Sequence, residues 1–529
     1  MTSRTIQILT AVITIGTLAC QQSKQEAETL PPNILFCIAD DMSFRYLNAY
    51  HNTPWVNTPA FDRVAREGVV FANAYTPNSK CAPSRACILT GRNPWQLEEA
   101  GNHVPHFPDK FITWMEVLGD NGYHTGFTGK GWAPGKVGNR YGQPRQLTGP
   151  AFNQKKTDAP TPNISNIDYV ENFKDFLAHQ PDGAPFCFWF GGLEPHRSYA
   201  YGSGVALGGK NIADISQVPP YWPDNEVVRN DMLDYAFEVE YFDRQLGKIL
   251  EILEDAGQLD NTIIVVTSDN GMPFPRVKGN VYEFSNHLPL AIMWKTGISH
   301  KGRIVDDYVS FIDLAPTMLE VAGVKQEKNA MQPIQGKSLL PLLLADKNGQ
   351  IDETRNRVLL GRERTDVGRP DDVGYPIRAL VKDNFFYLVN YEPSHWPAGN
   401  PETGYLDVDG SPTKTEILNA RREKGKDSHW TLSFGMRPAE ELYKLDSDPH
   451  GMENLAENPA YKTIAEGMRS EMEKELKTQG DPRMFGNGAV FDRYPFANEA
   501  NVDFYNRWQK GEKIKTGWVN DSDFEKEKL

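Results

Sequence analysis

The sequence predicts an α/β fold: a doubly wound, mostly parallel sheet flanked by helices, with a smaller antiparallel sheet and helix toward the C-terminus. Three observations carry that reading. Short, continuously apolar, β-rich runs occur at 34–39, in "APFCFWFGG" from residue 184, and at 263–266, as in strands buried on both faces of a parallel sheet. Helical patterns lie between them, so strands and helices alternate. After about residue 345 that alternation gives way to short aromatic strands such as "PIRALVKDNFFYLVNYEP".

At 529 residues the chain is long for one core, which predicts a large domain with a smaller one attached. Residues 1–19 read as a secretion signal, with Arg4 ahead of an apolar run too short to span a bilayer. Small residues then lead into Cys20, and 20–30 form a polar tether, a pattern that resembles a bacterial lipoprotein signal in which the cysteine is acylated. Thr17 stands where such signals usually carry Leu, so simple signal cleavage is the other reading. Either way the chain is expected to be exported, to the periplasm after simple cleavage or, with a lipid on Cys20 attaching it to the membrane, as an outer-membrane lipoprotein of a Gram-negative bacterium.

The large domain is assigned to 31–345. Thr58 and Pro59 mark a helix start. Residues 231–256 place Met232, Tyr235, Val239, Phe242, Leu246, Ile249 and Leu253 at three- and four-residue steps, one apolar face of a long helix. The smaller domain spans 346–480, with a helix over 460–477. The tail, 481–529, is too aromatic to be disordered and is expected to pack on the body.

The net charge of -14 argues against a broad basic face for nucleic acid, so an anionic substrate must be held by a few local cations. Five unevenly placed cysteines form neither a disulfide framework nor a zinc pattern. Cys37 and Cys187 lie in apolar runs and read as core. Cys81 differs, because it sits in the polar, Pro-interrupted stretch "SKCAPSRACILTGR".

The strand-like runs end in Asp40-Asp41, Glu194-Pro195-His196 and Asp269-Asn270-Gly271. Ligands of doubly wound sheets sit beyond the carboxyl ends of the strands, so Asp40, Asp41, His196, Asp269 and Asn270 can share one crevice. Converging oxygen donors without a histidine or thiolate cluster suit a hard divalent cation, Ca²⁺ or Mg²⁺, and disfavour zinc. Taken singly, each acidic pair is more often a turn or helix cap, and only the combination with the Cys81 stretch favours a metal site. Around Cys81, Pro83 and Ser84 look like the start of a short helix over 86–89 stopped by Gly91, with Cys81 at its positive end and Arg85 one turn on, where an anion binds.

Cys81, Pro83, Ser84 and Arg85, followed by Leu89, Thr90, Gly91 and Arg92, resemble the signature of the formylglycine-dependent sulfatases of the alkaline phosphatase superfamily. The likeness extends from about Asn33 to about Asn458, where "ELYKLDSDPHGMENLAENP" is similar to a C-terminal segment of that family. It implies that a separate maturase oxidises Cys81 to formylglycine (3-oxoalanine), whose hydrate attacks sulfur and later expels sulfate. It further implies Asp40, Asp41, Asp269 and Asn270 as Ca²⁺ ligands, with residue 81 completing the shell. Arg85, Lys130 and Lys278 then neutralise charge on the sulfuryl group, His196 protonates the leaving oxygen, and Asp269 also accepts a proton. Trp132 stands where many members have a sulfate-contacting histidine, so it is assigned to substrate binding; His103, His106 and His287 are candidates for a second imidazole.

Arg362, Glu363, Arg364 and Arg369 are expected to form a substrate loop, because arginine forks and carboxylates suit sulfate and sugar hydroxyls. "SDNGMPFPR" and "EPHR" look most like the branch containing heparan N-sulfatase and bacterial polysaccharide sulfatases. The expected substrate is therefore the end of a short sulfated carbohydrate, with O-sulfate favoured over N-sulfate. A phosphoester hydrolase of the same superfamily and an inactive glycan-binding lipoprotein are the rival readings.

Overall fold

The computed structural model describes residues 31–50, 53–325 and 328–529. The signal, the tether and Cys20 lie outside the described residues. Apolar runs at 33–39, 186–191 and 262–268 form the centre of a seven-stranded sheet. Its strands are β1 (Asn33–Ala39), β2 (Val69–Tyr75), β3 (His124–Gly129), β4 (Phe186–Gly191), β5 (Thr262–Ser268), β6 (Leu290–Met293) and β7 (Arg303–Ser310). They are ordered β7-β2-β6-β5-β1-β4-β3, and only β6 runs antiparallel to its neighbours.

Because side chains alternate along a strand, β1 feeds two cores. Leu35, Cys37 and Ala39 pack with α1 (Pro59–Glu67), α4 (Tyr169–Ala178) and α5 (Glu226–Asp255). Ile34, Phe36 and Ile38 pack on the other face with α2 (Cys81–Thr90), α3 (Trp114–Asp120) and α6 (Leu314–Val321). This is the three-layer, doubly wound arrangement the run pattern predicts. Large aromatics fill it: Phe36 stacks on Trp189 at 4.6 Å and Phe190 on Phe242 at 5.0 Å. Each such fully buried side chain contributes roughly 1.5–3 kcal/mol. Cys37 and Cys187 are fully buried in these cores.

Helix α1 starts at Pro59 as expected but is held differently, and the long helix starts earlier than expected. Thr58 makes no capping bond to α1; instead Asp243 of α5 accepts from Ala60 N and Phe61 N at 2.9 and 2.8 Å. The long helix begins five residues before 231, where Asn225 Oδ1 accepts from Val228 N at 3.0 Å.

A separate antiparallel sheet contains β8 (Arg357–Arg362), β9 (Ile377–Lys382), β10 (Phe385–Asn390) and β11 (Glu440–Lys444), in that order. Helix α7 (Lys462–Thr478) packs on it through Met468, Met472 and Leu476. Beyond it, Phe496, Phe504 and Val519 cluster with Val367 and Leu406. Among the described residues no helix is long and apolar enough to cross a membrane.

Candidate active site

The parallel pairing of β1 with β5, Ala39 opposite Ser268, sets the strands' polar extensions side by side. Asp41 N donates to Asp269 Oδ1 at 3.1 Å, and Asn270 Nδ2 to Asp41 Oδ1 at 2.6 Å. Asp41 adopts a left-handed backbone (φ 77°), a conformation costly for a non-glycine residue and held here by those bonds. Oxygens of Asp40, Asp41 and Asp269 lie within 4.8 Å of one another, and all three residues are buried.

Helix α2 opens at Cys81 itself, two residues ahead of Pro83, the expected start, and closes on Gly91 (φ 67°). Pro83 is tolerated because backbone N–H groups of the first turn have no intrahelical acceptor. Cys81 is buried with Sγ 3.3 Å from Asp40 Oδ1. Ser84 Oγ donates to Asp269 O at 2.5 Å, fastening the helix to the end of β5. Arg85 Nε donates to Asp269 Oδ2 at 2.8 Å, and its Nη1 to the carbonyls of Lys130 and Gly131 at 3.0 and 2.9 Å. Its Nη2 is buried without a hydrogen-bond partner, 3.7 Å from Asp40 Oδ1.

Two lysines, one just past β3 and one in the loop after β5, complete the cluster. Lys130, just past β3, donates to Asp40 Oδ2 at 2.6 Å. Lys278 donates to Asp41 Oδ2 at 2.7 Å and to Asp409 Oδ2 at 2.8 Å. His196, beyond β4, has Nδ1 2.6 Å from Arg197 O, so Nδ1 carries the hydrogen; Nε2 lies 3.9 Å from Asp41 Oδ2.

Charge is distributed unevenly among these groups. Burial alone raises Asp40, but Lys130, with His196, Arg85 and Lys278, outweighs it and holds the carboxyl well below the usual range. Burial and then Asp40 push Asp269 up to about 7. Burial also opposes charge on Lys130 and Lys278, yet Asp40 for the first, and Asp409 and Asp41 for the second, keep both above the ordinary lysine value. Burial and Asp40 push the Cys81 thiol up, away from thiolate nucleophile chemistry.

The residues fit a hard cation. Three carboxylates converge and Asn270 Oδ1 is buried without a hydrogen-bond partner, so oxygen donors predominate beside the Cys81 sulfur and the His196 ring nitrogen. Cys81, Arg85, Lys130, His196, Lys278, Asp40, Asp41, Asp269 and Asn270 thus meet in one place. Trp132 lines the larger of two adjoining cavities, of about 940 Å³, and its Nε1 donates to Ala82 O at 3.0 Å. His287 is a structural residue, bonded to Glu283 and Ala72 O and stacked between Phe44 and Tyr75.

The expected substrate loop is a correction. Arg362, Glu363, Arg364 and Arg369 are buried and line neither cavity. Arg362 and Arg369 both pair with Asp407, Glu363 pairs with Arg378 and Arg483, and Arg364 Nη2 donates to Tyr494 O at 2.8 Å. Paired arginines and carboxylates satisfy one another once the loop is covered. From that loop it is Asp366 that reaches the smaller cavity, together with Asp409, Lys80 and His103. Sequence reasoning missed all but His103 of these; the one available signal was the Asp-Val-Asp-Gly turn ending at Gly410.

Comparison with known proteins agrees with this geometry. The Sulfatase family model matches residues 32–324. An N-sulphoglucosamine sulphohydrolase of Homo sapiens is 29% identical over 483 residues, covering 85% of this chain and 91% of the relative. An ulvan-active sulfatase of Formosa agariphila is 28% identical over 490 residues, covering 85% of this chain and 75% of the relative. A solved structure described as a complex with its substrate D-glucosamine-2-N,6-O-disulfate shares the fold at a TM-score of 0.59 and 19% identity, covering 85% of this chain and 98% of that one. The chain therefore belongs to the sulfatase family and is a sulfuric ester hydrolase.

Proposed function

We propose that this chain is an exported, formylglycine- and Ca²⁺-dependent sulfatase that removes sulfate from the ends of short sulfated carbohydrates. The observation that carries the reading is Cys81 at the first position of a buried helix, 3.3 Å from Asp40 and beside the Asp40, Asp41 and Asp269 cluster. When present, the cation supplies Lewis acidity at the sulfate oxygens, and residue 81, oxidised by a maturase and hydrated, supplies the attacking hydroxyl.

The other side chains bind and move protons. Lys130 and Lys278, kept charged by their carboxylates, hold sulfate oxygens; the open Nη2 of Arg85 is a further donor beside Asp40. The Nδ1–H of His196 is committed to Arg197 O, so Nε2 is the atom that protonates the leaving oxygen. Asp269 is placed to take a proton at its carboxylate.

Sulfated carbohydrate is supported by the relatives, one an ulvan-active sulfatase. The N-sulphoglucosamine relative favours a second reading, hydrolysis of an N-sulfate on the same site. Export, with Cys20 as a lipid anchor, is supported by the residues before Pro31. Sulfate release over a panel of O- and N-sulfated sugars, with and without chelator, tests the reading. Release abolished by chelator supports it; no release from maturase-treated protein contradicts it.

A further inference from the structure

The smaller cavity, about 590 Å³, contains Cys81 and Lys278, whereas the larger one contains neither. The smaller one is therefore the cavity that opens onto residue 81, with Lys130 and His196 shared between the two. Part of its wall serves no catalytic group. It is apolar and is built by Val104, Phe496 and Trp518. Two of these belong to the C-terminal segment, beyond the residues 32–324 that the family model matches.

The same cavity carries a polar edge. His103 is 8% exposed, and its Nδ1 has no hydrogen-bond partner and lies 3.7 Å from Asp366 Oδ1. A partly aromatic wall beside unsatisfied hydroxyl-pairing groups suits a pyranose, whose C–H face packs on rings while its hydroxyls pair at the edge.

The segment is fixed where this wall is formed. Ala497 N donates to Val104 O at 2.8 Å, Trp518 Nε1 to Leu406 O at 2.9 Å, and Gly410 N to Trp518 O at 2.8 Å. A Cβ on Gly410 would meet Asn520 N at 2.8 Å, so the chains approach as closely as glycine allows. Gly410 follows Asp409, the partner of Lys278, so the segment that walls the cavity also holds the carboxylate that orients a catalytic lysine.

Resting on the sulfatase reading above, we propose that residues 481–529, through Phe496 and Trp518, form the seat of the sugar ring that carries the scissile sulfate. The test is calorimetric titration of Cys81→Ala protein, alone and with Trp518→Ala or Trp518→Phe added, using glucosamine N-sulfate, glucosamine 6-O-sulfate and inorganic sulfate. Trp518→Ala should weaken sugar binding by about tenfold and Trp518→Phe by less than about threefold, with inorganic sulfate within about twofold throughout. Equal weakening of sugar and sulfate, unchanged sugar binding in Trp518→Ala, or binding of neither sugar by the Cys81→Ala parent overturns the proposal. Sulfate release by the unaltered, maturase-treated chain reads the reaction separately. Release with unchanged sugar binding sinks the seat alone; a tryptophan-dependent seat without release sinks the reaction alone.

Discussion

Lys130 Nζ donates to Asp40 Oδ2 across 2.6 Å, joining the carboxyl ends of β3 and β1, which have β4 between them in the sheet. This charge pair spans three strand ends and holds the Asp40 carboxylate that faces Cys81 Sγ. Lys130→Ala is expected to lower kcat about 10²- to 10³-fold, as for loss of one preorganised donor. It should also destabilise the fold by about 3 kcal/mol, because Asp40 is buried and loses its nearest cation. Steady-state sulfate release and thermal unfolding of the same preparation check both effects.

The carboxylate cluster predicts a cation-dependent stability. Ca²⁺ at about 100 times its dissociation constant should add about 2.7 kcal/mol, lost on chelation. In Asp41→Asn that response should shrink, since Asp41 faces Asp40, Asp269 and Lys278. A melting temperature indifferent to chelator and to added Ca²⁺ contradicts the metal assignment.

The arginines of the loop after β8 should behave as structural residues. Asp407→Ala leaves Arg362 and Arg369 buried without their shared carboxylate and should cost about 3–5 kcal/mol. Arg369→Ala should lower the unfolding midpoint while KM stays within about twofold of the unaltered chain. A large KM change at preserved stability would restore this loop to the substrate site.

His450 predicts an acid-sensitive step. It stacks on Phe284 at 5.0 Å, and burial, then Arg45 and Arg276, lower its pKa from 6.5 to about 4. Unfolded, the imidazole takes its proton near 6.5; folded, it resists until about 4. Stability is therefore complete above pH 6.5 and falls as pH drops from 6.5 toward 4, by about 1–2 kcal/mol after allowance for solvent screening. His450→Gln should flatten that limb of a stability-against-pH curve, and an unchanged limb would remove His450 as its source.

Much of this was legible in sequence because local chemistry changes abruptly at the site. Apolar runs that stop at Asp40, Asp269 and Glu194 announce strand ends, and the three- and four-residue spacing from Met232 to Leu253 announces α5. The start of α2 was misplaced because Pro83 reads as a first residue, although any position of the first turn tolerates it. Asp409 was missed because its Asp-Val-Asp-Gly context reads as a turn, and nothing near it in sequence says that Lys278 lies 2.8 Å away. Arg362, Glu363, Arg364 and Arg369 were misread for the converse reason. Their partners Asp407, Arg483 and Tyr494 are distant in sequence, so a buried ion-pair network looks like an exposed charged loop.

The central claim is that residue 81 acts as a formylglycine. The mass of the tryptic peptide spanning it, from protein made in its own host or beside a maturase, tests this most directly. The account predicts a residue that has lost its sulfur and gained an aldehyde oxygen. An intact thiol in protein from the native host contradicts it, since burial and Asp40 leave that thiol poorly suited to attack sulfur.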